Sequence, residues 1–358
     1  MALVEALDLF CGAGGLSLGL GAAGISVVAG VERDEDAAAT WANEHPGALV
    51  HQGDVDQVDW RRFDGVALVV GGPPCQPWSI GGLRQGEGDL RDGWPAFIGA
   101  VRCLRPRAFL AENVAGLTEG VMRTRWVRLV GDLVDLGYNV SAQVVNAADY
   151  GVPQKRRRCI VVGFRDRGTF VFPGATHGPG RRQAWKTAGS VVGPEPWGEP
   201  NRAIVTYAAR PDIRRGPYAG HVFNGGGRPI DIHVPAPTLL ASMGGNKTPW
   251  LDTEGIVPHY HAHLLAGGEP RSGLVPGARR ITVEEAALLQ TFPRDMRFVG
   301  RRSSRYRQIG NAVPPFLAEA MGRALLPQME GLGVAGPEAS DLGDAAVVSG
   351  RARPRRGA

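Results

Sequence analysis

The chain has 358 residues, 43% of them apolar and 21% charged, which excludes a wholly disordered chain and predicts one large or two smaller globular domains. Lysine and arginine number 40 against 35 acidic residues, so the net charge of +5 is modest. Its distribution is uneven, since nine arginines and only three acidic residues lie between Arg271 and Arg307. Such a stretch suits a polyanion such as nucleic acid, although ordinary surface arginines would give the same pattern.

Cysteine usage and hydropathy exclude further classes of protein. The four cysteines form no Cys-x-x-Cys pair, which argues against a structural zinc site or a disulfide framework and fits a reducing cytoplasm. No apolar run reaches the roughly 18 residues that span a bilayer, and the amino terminus lacks the basic region of a signal peptide. We therefore expect a soluble cytoplasmic protein without membrane contact.

Short apolar runs alternate with helical patterns over the first 165 residues. This alternation predicts an α/β fold whose mostly parallel sheet is covered by helices on both faces. The predicted strands are Ala6–Phe10, Ile25–Val31, Ala48–His51, Val66–Val70, Ala108–Glu112, Asn139–Val145 and Ile160–Phe164. The predicted helices are Leu16–Ala23, Asp34–Asn43, Ala96–Leu104 and Arg123–Leu136.

Beyond Val171 the chain becomes rich in glycine, proline and polar residues, which predicts a second, smaller and loop-rich module. Helical order returns at Thr282, which is predicted to cap a helix with Glu285 three residues later. The residues beyond Gly331 are small, polar and aperiodic, and predict a disordered tail with a basic tip. The predicted elements of this half are strands at Ala203–Ala208 and Pro237–Ala241, and helices at Thr282–Thr291 and from Pro315 to about Leu326.

A glycine-rich loop, Asp8-Leu-Phe-Cys-Gly-Ala-Gly-Gly15, lies between the first predicted strand and the first helix. Gly12, Gly14 and Gly15 allow the backbone to turn sharply and to approach a ligand closely. A purely structural turn and the loop of a Rossmann dehydrogenase are the alternatives, although the spacing is not G-x-G-x-x-G. The loop alone favours a nucleoside cofactor.

Acidic residues at the ends of the next two strands extend this candidate cofactor site. Glu32 follows the second strand, where it would meet ribose hydroxyls, and Asp54 follows the third, where it could accept a hydrogen bond from an adenine amino group. Asp8 and Phe10, beside the loop, suit a ligand that contains adenosine and an amino acid but no phosphate.

Cys75 lies in a loop stiffened by proline, Gly71-Gly-Pro-Pro-Cys-Gln-Pro-Trp-Ser79, directly after the fourth strand. Ligands of open α/β sheets sit at the carboxyl ends of the strands, so Cys75 is a candidate nucleophile, whereas the other three cysteines are expected to be inert buried thiols. Glu112 ends the next strand and could protonate or hydrogen-bond a heteroaromatic ring, although a structural role at a helix start is the alternative. The other cysteines are Cys11, Cys103 and Cys159.

A basic motif, Gln154-Lys-Arg-Arg-Arg158, precedes the last strand of this half. At alternating positions Gln154, Arg156 and Arg158 could point to one face, where the arginine forks would suit carboxylate, carbonyl or phosphate partners. A solvated basic patch is the alternative.

Taken together, these motifs resemble those of the DNA cytosine-C5 methyltransferase family. Six motifs occur in the order usual for that family, within residues 8–164 and 279–327. Besides the glycine loop they are Gly72-Pro-Pro-Cys-Gln-Pro-Trp-Ser79, Glu112-Asn-Val114, Gln154-x-Arg-x-Arg158, Thr282-x-x-Glu-x-x-x-Leu-Gln-x-Phe-Pro293 and Tyr306-Arg-Gln-Ile-Gly-Asn-Ala-Val-Pro-Pro315.

The resemblance implies a Rossmann-like methyltransferase fold with S-adenosyl-L-methionine as methyl donor, S-adenosyl-L-homocysteine as product and no metal. It also implies that the chain leaves the large domain to form a target-recognition domain and then returns. The implied divisions are residues 1–171 for the catalytic and cofactor-binding domain, 172–278 for target recognition, 279–330 for the return segment and 331–358 for the tail.

The resemblance also implies roles for single residues. Cys75 would add to C6 of cytosine, and Glu112 would contact N3 and the exocyclic amine, while Arg156 and Arg158 would orient the ring and the glutamate. Asn311 would lie near the carboxylate of the cofactor, with Gly310 allowing the close approach. The implied cofactor-binding residues are Asp8, Phe10, Gly12, Gly14, Gly15, Glu32, Asp54, Pro74 and Asn311.

Catalysis on a duplex requires the cytosine to be flipped out, and the glycine-rich segment Ile80–Trp94 could close over it. Gly225–Gly227 and Ser242–Thr248 are loops that could approach DNA, although ordinary surface loops are the alternative. His259, His261 and His263 would share one face of a strand, with phosphate contact or a structural role favoured over a metal site. The candidate DNA-binding residues are Ser79, Arg84, Gln154, Asn246 and Lys247.

The sequence therefore predicts an enzyme that forms 5-methylcytosine in a specific site of duplex DNA, acting as a monomer, either alone or alongside a cognate restriction endonuclease. A catalytically silent DNA-binding regulator is an alternative, against which the presence of Cys75 and Glu112 argues. Methylation of RNA is another, and the sizeable second module favours DNA over it.

Overall fold

The computed structural model describes residues 3–74, 92–165, 168–224, 227–331 and 348–350. Within them the strands are β1 Glu5–Leu9, β2 Ser26–Glu32, β3 Leu49–Gln52, β4 Leu68–Gly71, β5 Ala108–Val114, β6 Asn139–Asn146, β7 Arg157–Phe164, β8 Thr206–Asp212, β9 His221–Asn224, β10 Pro229–Asp231, β11 Trp250–Asp252, β12 Arg279–Arg280 and β13 Val348–Gly350. The helices are α1 Gly15–Ala22, α2 Glu35–Glu44, α3 Trp94–Leu104, α4 Arg123–Asp135, α5 Ile256–Leu265, α6 Val283–Leu289, α7 Arg302–Asn311 and α8 Pro315–Glu330.

The chain divides into two units. The first comprises residues 1–150, 157–176 and 313–358, and the second comprises residues 151–156 and 177–312. The bounds of these compact units, at residues 151 and 313, differ from the predicted functional divisions at residues 172 and 279, which stay a prediction. The reason lies in buried polar side chains, because Gln154 and Arg156 bond to residues between 239 and 312.

A sheet of eight strands forms the centre of the first unit, in the order β13-β6-β7-β5-β4-β1-β2-β3. The strands from β5 through β4 and β1 to β2 and β3 are parallel, and β7 runs antiparallel to both β5 and β6. The predicted mostly parallel sheet is therefore confirmed. Parallel pairing places the carboxyl ends of β1, β2, β4 and β5 side by side, at the edge where the sequence places its candidate residues.

Large apolar side chains fill the space between this sheet and the helices of the first unit. The rings of Trp94, Phe97, Phe109 and Tyr138 follow one another edge to face, and all four residues are completely buried. On α1, a side chain at Gly19 would meet the backbone of α8 at Pro315, so glycine is what allows the two helices to pack this closely.

Each of the seven strands and four helices predicted in the first 165 residues has a counterpart in the structure, with ends that differ by a few residues. The strand β13 was not predicted. It pairs antiparallel with the free edge of β6, so these three residues of the predicted disordered tail form a strand. The tail at 332–347 and 351–358 lies outside the described residues.

The second unit holds two small sheets and three helices. Strands β8 and β9 are antiparallel, while β11 pairs parallel with β10 and antiparallel with β12. Its core packs Phe223, Trp250 and Tyr260 around α5. The predicted cap of α6 is confirmed, because Thr282 and Glu285 form a reciprocal capping box.

Two predictions about this unit are wrong. Residues 237–241 form no strand, because the backbone N–H of Leu239 donates to the side chain of Gln154 (3.0 Å) instead of to a neighbouring strand. The three histidines predicted to share a strand face lie on the helix α5, where His259 is exposed and His261 is buried. A helical repeat of 3.6 residues turns alternating side chains to different sides.

None of the helices in the described part of the chain is long and apolar enough to cross a membrane.

Candidate active site

The glycine loop after β1 is pinned by a carboxylate from the neighbouring strand. Glu32, at the end of β2, accepts hydrogen bonds from the backbone N–H of Gly12 (2.9 Å) and of Asp34 (2.8 Å). Phe10, Gly12 and Gly14 have positive φ angles of 57°, 54° and 89°. Such a conformation is costly for phenylalanine and is typical of functional loops. The structure thus brings the loop and its predicted acidic partner together.

A network of buried polar side chains, which the sequence did not predict, links β1, α1 and α2 next to the glycine loop. The Ser17 hydroxyl, on α1, donates to Asp8 Oδ2 (2.5 Å) and accepts from the indole N–H of Trp41 (2.9 Å). Trp41 stacks on His45, with ring centroids 4.3 Å apart. A Cβ at Gly14 would lie 2.9 Å from the His45 ring, so only glycine fits there.

Asp8 is completely buried, and its Oδ1 has no hydrogen-bond partner among the described residues. Burial raises the pKa of Asp8 to about 7, opposed by the Ser17 hydrogen bond and reinforced by the nearby Glu32 carboxylate. A carboxyl group with one free oxygen, at the end of β1 and beside a glycine loop, is suited to bind a polar or cationic ligand group.

Asp8→Asn is expected to change how stability depends on pH. Because the folded-state pKa of Asp8 lies near 7 and the unfolded value near 3.9, ionising this carboxyl destabilises the folded wild type progressively as pH rises from about 4 to about 7. The penalty reaches roughly 4 kcal/mol and is constant above that range. Urea unfolding between pH 4 and 8 should show the wild type losing stability relative to the variant. A difference that is independent of pH would contradict this assignment.

The remaining predicted cofactor residues of the first unit occupy the same sheet edge. Asp54, after β3, is half-exposed and lies 4.0 Å from the Arg33 guanidinium, which comes directly after β2. The carbonyl oxygen of Pro74 accepts a hydrogen bond from Gly93 (2.9 Å), just before α3. Gly15 is the first residue of α1.

Cys75 lies outside the described residues, as do Ser79 and Arg84, but the backbone that leads to Cys75 is described up to Pro74. The Asn113 side chain, at the end of β5, donates to the carbonyl oxygen of Pro73 (2.8 Å) and accepts from the Val114 N–H (2.8 Å). Asn113 is buried. It therefore ties the start of the cysteine loop to the strand that carries Glu112, a role that the sequence analysis missed although it quoted the Glu-Asn-Val motif.

Asn113→Asp is expected to lower kcat by roughly tenfold or more while leaving the KM of the methyl donor unchanged. Aspartate keeps the size of the side chain but loses the N–H that holds the Pro73 carbonyl, so the cysteine loop loses its anchor and its precise placement. Steady-state kinetics check the split between kcat and KM, and thermal unfolding checks folding. Unchanged kcat in a folded variant would show that this hydrogen bond does not position the loop.

Glu112 and Arg158 form a nearly buried ion pair. The Glu112 carboxylate on β5 lies 2.6 Å from Arg158 Nε on the adjacent strand β7, and the side chains are 9% and 12% exposed. Arg158 also donates to the Arg157 carbonyl oxygen (2.7 Å). The structure thus brings two of the four predicted catalytic residues together, and their roles in the reaction stay predictions.

Arg156 and Gln154 do not share this position. Arg156 is buried in the second unit, where it donates to the carbonyl oxygens of Leu239 (3.1 Å), Gly310 (2.9 Å) and Ala312 (2.9 Å). Arg156 therefore helps to fix this backbone, and its predicted role at the reacting ring stays a prediction. The sequence could not show this, because its partners lie 83, 154 and 156 residues away.

Gln154, which was predicted to bind DNA, is turned into the second unit. The side chain is completely buried, donates to Gln290 (2.9 Å) and to the Leu289 carbonyl oxygen (3.3 Å), and accepts from the Leu239 N–H (3.0 Å). Gln154 has no exposed atom with which to reach a base, because its amide is used to join three separate parts of the second unit.

The other candidates in the second unit are accessible. Asn311 is exposed at the end of α7, and Asn246 and Lys247 are exposed in a short 3₁₀ helix. Gly310 does allow a close approach, but to backbone: a Cβ there would lie 2.5 Å from Leu240.

Several arginines of the basic stretch at 271–307 are occupied by the protein itself. Arg280 is buried and donates to three backbone carbonyl groups, and Arg279 pairs with Glu285 at 2.8 Å. Arg294 stacks on the Trp197 ring, 3.7 Å from its centroid. Much of the charge counted in the sequence is therefore structural, so this stretch is a weaker sign of a polyanion surface than the count suggested.

The described cysteines differ from one another. Burial and, second, the nearby Asp8 carboxyl raise the pKa of Cys11 well above its ordinary value. Burial raises the pKa of Cys159 to about 12. Both are inert thiols, as expected. Cys103 is exposed on α3, so the expectation of burial is wrong there. Among the described residues, no group of three or more His, Cys, Asp or Glu side chains is placed to hold a metal ion.

Residues 4–186 and 253–326 match the family of C-5 cytosine-specific DNA methylases. The Type II methyltransferase M.AplI of Arthrospira platensis is 33% identical over 336 residues, which cover 90% of this chain and 86% of that protein. M.MthTI of Methanothermobacter thermautotrophicus, also named a Type II methyltransferase, is 30% identical over 351 residues, which cover 92% and 99%.

Solved structures share the fold. A DNA modification methyltransferase encoded within an E. coli prophage superposes with a TM-score of 0.60 at 24% identity, covering 92% of this chain and all of that one. A DNMT2 mutant of Spodoptera frugiperda gives a TM-score of 0.64 at 15% identity, covering 91% and 98%. With a family match over more than half of its length and relatives that cover nine tenths of it, the chain belongs to the C-5 cytosine-specific DNA methylases and is a DNA cytosine-5-methyltransferase.

Proposed function

We propose that this enzyme transfers a methyl group from S-adenosyl-L-methionine to C5 of a cytosine flipped out of duplex DNA, through a transient bond between Cys75 and C6. The observation that carries the proposal is the hydrogen bond that joins the carboxyl end of β5 to the residues that follow β4. There Asn113 holds the loop that leads to Cys75, and the neighbouring Glu112 is oriented by Arg158 at 2.6 Å. A nucleophile and an acidic group on adjacent strand ends are what addition to a cytosine ring requires.

The residues around the glycine loop fit S-adenosyl-L-methionine, which supplies an electrophilic methyl group when bound. Asp8 offers a buried carboxyl oxygen that has no hydrogen-bond partner among the described residues and suits the amino group of the methionine part. Gly12 leaves the backbone bare at the turn, because no described atom beyond its chain neighbours lies within 4 Å of the position that its Cβ would take, and Asp54 is accessible for an adenine amino group. Glu32 would exchange or share its backbone hydrogen bonds to meet the ribose hydroxyls.

The proposed reaction uses groups of this chain at each stage. The Cys75 thiolate forms a bond to C6 while Glu112, in its protonated form, donates its proton to N3, which neutralises the added electron pair. C5 thereby gains enamine character, and bound S-adenosyl-L-methionine would supply the methyl group that C5 takes up, with S-adenosyl-L-homocysteine as the product. A base then removes the C5 proton, the N3 proton returns to Glu112, the C5–C6 double bond re-forms and the Cys75 thiolate leaves.

Duplex DNA is the proposed substrate because the second unit presents exposed polar loops. Since stacking in the duplex hides C6, the target cytosine must leave the helix before it reacts. Asn246 and Lys247 are accessible there for bases and phosphates. We further propose that the enzyme acts as a monomer in the cytoplasm within a restriction-modification system alongside a cognate endonuclease, since its relatives M.AplI and M.MthTI are named Type II methyltransferases.

Transfer of tritium from methyl-labelled S-adenosyl-L-methionine tests the proposal. The purified chain is expected to label duplex DNA and not RNA of the same sequence, and bisulfite sequencing of the product should place every new 5-methylcytosine in one sequence context. Cys75→Ala should abolish labelling. Labelling of RNA alone, or of DNA by the Cys75→Ala variant, would contradict the proposal.

A further inference from the structure

A compact basic surface lies in the second unit, apart from the loop that holds Asn246 and Lys247. Residues 177–187, here called the basic turn, carry Arg181, Arg182 and Lys186, and no acidic residue occurs from residue 177 to residue 194. Arg182 and Lys186 are exposed, and Arg181 is half-buried. The charge here is thus concentrated in one short segment without carboxylates of its own, unlike the arginines at 271–307.

Backbone hydrogen bonds hold the basic turn in one conformation. The N–H of Gly178 donates to the Gln183 carbonyl oxygen (2.8 Å), and the N–H of Arg181 donates to the Gly178 carbonyl oxygen (3.1 Å). Gly178 and Gly180 have φ angles of 126° and 72°, which other residues rarely adopt. Because the turn is already ordered, a ligand that binds its side chains need not order the backbone as well.

Lys155 lies beside Trp185 of the basic turn and adds a further positive charge to this surface. The Lys155 ammonium lies 5.6 Å from the centroid of the Trp185 ring, a cation–π distance, and the lysine is exposed. Burial and, second, the ammonium of Lys186 lower the pKa of His177, so this ring is neutral at pH 7. The charge of the surface is therefore carried by lysine and arginine, the side chains that contact phosphates.

The basic turn is joined to the loop predicted to read DNA. The N–H of Lys155 donates to the Ala236 carbonyl oxygen (2.8 Å), and the Thr238 hydroxyl donates to the Lys155 carbonyl oxygen (2.7 Å). The chain runs from Thr238 directly into the loop with Asn246 and Lys247. Ala188, the residue directly after the basic turn, is anchored to the same segment, because its N–H donates to the Val234 carbonyl oxygen (2.8 Å).

We propose that the basic turn and Lys155 bind the phosphate backbone of duplex DNA beside the recognition sequence. This inference rests on the proposed function, and adds a contact surface that the sequence motifs do not contain. Phosphate contacts fix the position of the duplex but carry no sequence information. Removing them lowers affinity for every duplex alike and weakens its dependence on salt, while discrimination between sequences is preserved.

The test compares two double variants of the full chain. Arg182→Gln with Lys186→Gln removes two charges from the basic turn, and Arg61→Gln with Arg62→Gln removes two exposed charges from a short helix of the first unit. Binding to a methylatable duplex and to an unrelated duplex is measured from 50 to 300 mM salt. The first pair is expected to flatten the slope of log affinity against log salt by about 1 to 2. It should also lower the affinity for both duplexes about tenfold at 150 mM salt. The control pair should match the wild type.

The outcomes separate this inference from the proposed function. If the wild type labels no DNA, the proposed function fails. Thermal unfolding shows whether the Arg182/Lys186 variant is folded. If the wild type labels DNA and the folded variant keeps the wild-type dependence of affinity on salt, only the inference is overturned. A variant that loses discrimination between the duplexes at an unchanged slope also overturns it, because that result would mean contact with bases. Equal losses in the control pair would show an effect of net charge and would overturn it as well.

Discussion

Glu112→Gln is expected to lower kcat on DNA by roughly 10² to 10⁴, the range typical of a lost acid–base group. Glutamine keeps the size of the side chain, but it has no ionisable carboxyl with which to protonate the cytosine ring during addition. Binding of the methyl donor should be unaffected, because the glycine loop is held by Glu32 and not by Glu112. Single-turnover methylation measures the loss.

Glu119→Gln is the matched control for this variant. Glu119 pairs with Arg157 at 3.4 Å, next to the Glu112–Arg158 pair, but the side chains are 60% and 64% exposed. An exposed pair contributes little, so this variant should keep wild-type kcat. Equal losses in the two variants, or full activity in Glu112→Gln, would remove Glu112 from the reaction.

Local patterns were sufficient to predict the architecture of the first unit. Apolar runs such as the one around Val69 are short and bounded by glycine, and the strands they form are buried on both faces, as parallel strands are. The glycine loop could be located because positive φ angles at Gly12 and Gly14 require that residue. The same holds for the cap at Thr282, whose partner is three residues away.

The roles of buried polar side chains could not be predicted in the same way. Gln154 and Arg156 sit in a motif that alternates like a strand, and sequence spacing alone placed them with Arg158. Their partners come from loops far along the chain, which turn Gln154 and Arg156 inward. The role of Asn113 could likewise not be predicted, because its acceptor, the Pro73 carbonyl oxygen, is a backbone atom that no sequence pattern marks.

Arg156→Met is expected to destabilise the second unit by about 3 kcal/mol or more, because it leaves the buried carbonyl oxygens of Leu239 and Gly310 without this donor. Thermal unfolding should shift down by about 10 °C for a unit of this size. Since the Leu239 carbonyl precedes the loop with Asn246 and Lys247, KM for DNA should rise as well. The ion pair between Glu112 and Arg158 does not involve Arg156 and should remain.

Arg157→Met provides the comparison, since Arg157 is the next residue but is exposed. It should melt within about 1 °C of the wild type. If Arg156→Met instead melts like the wild type and loses kcat as severely as Glu112→Gln, Arg156 acts on the substrate ring, and its assignment as a residue that fixes backbone is wrong.

Covalent trapping tests the central claim most directly. A duplex that carries 5-fluorocytosine at the methylated position cannot lose a proton from C5, so the bond between enzyme and C6 should persist after methyl transfer. Incubated with S-adenosyl-L-methionine, the enzyme is expected to form a denaturation-resistant complex, and peptide mass spectrometry should place the nucleotide on the sulfur of Cys75. Catalytically competent enzyme that forms no adduct, or forms one at another residue, would contradict the account.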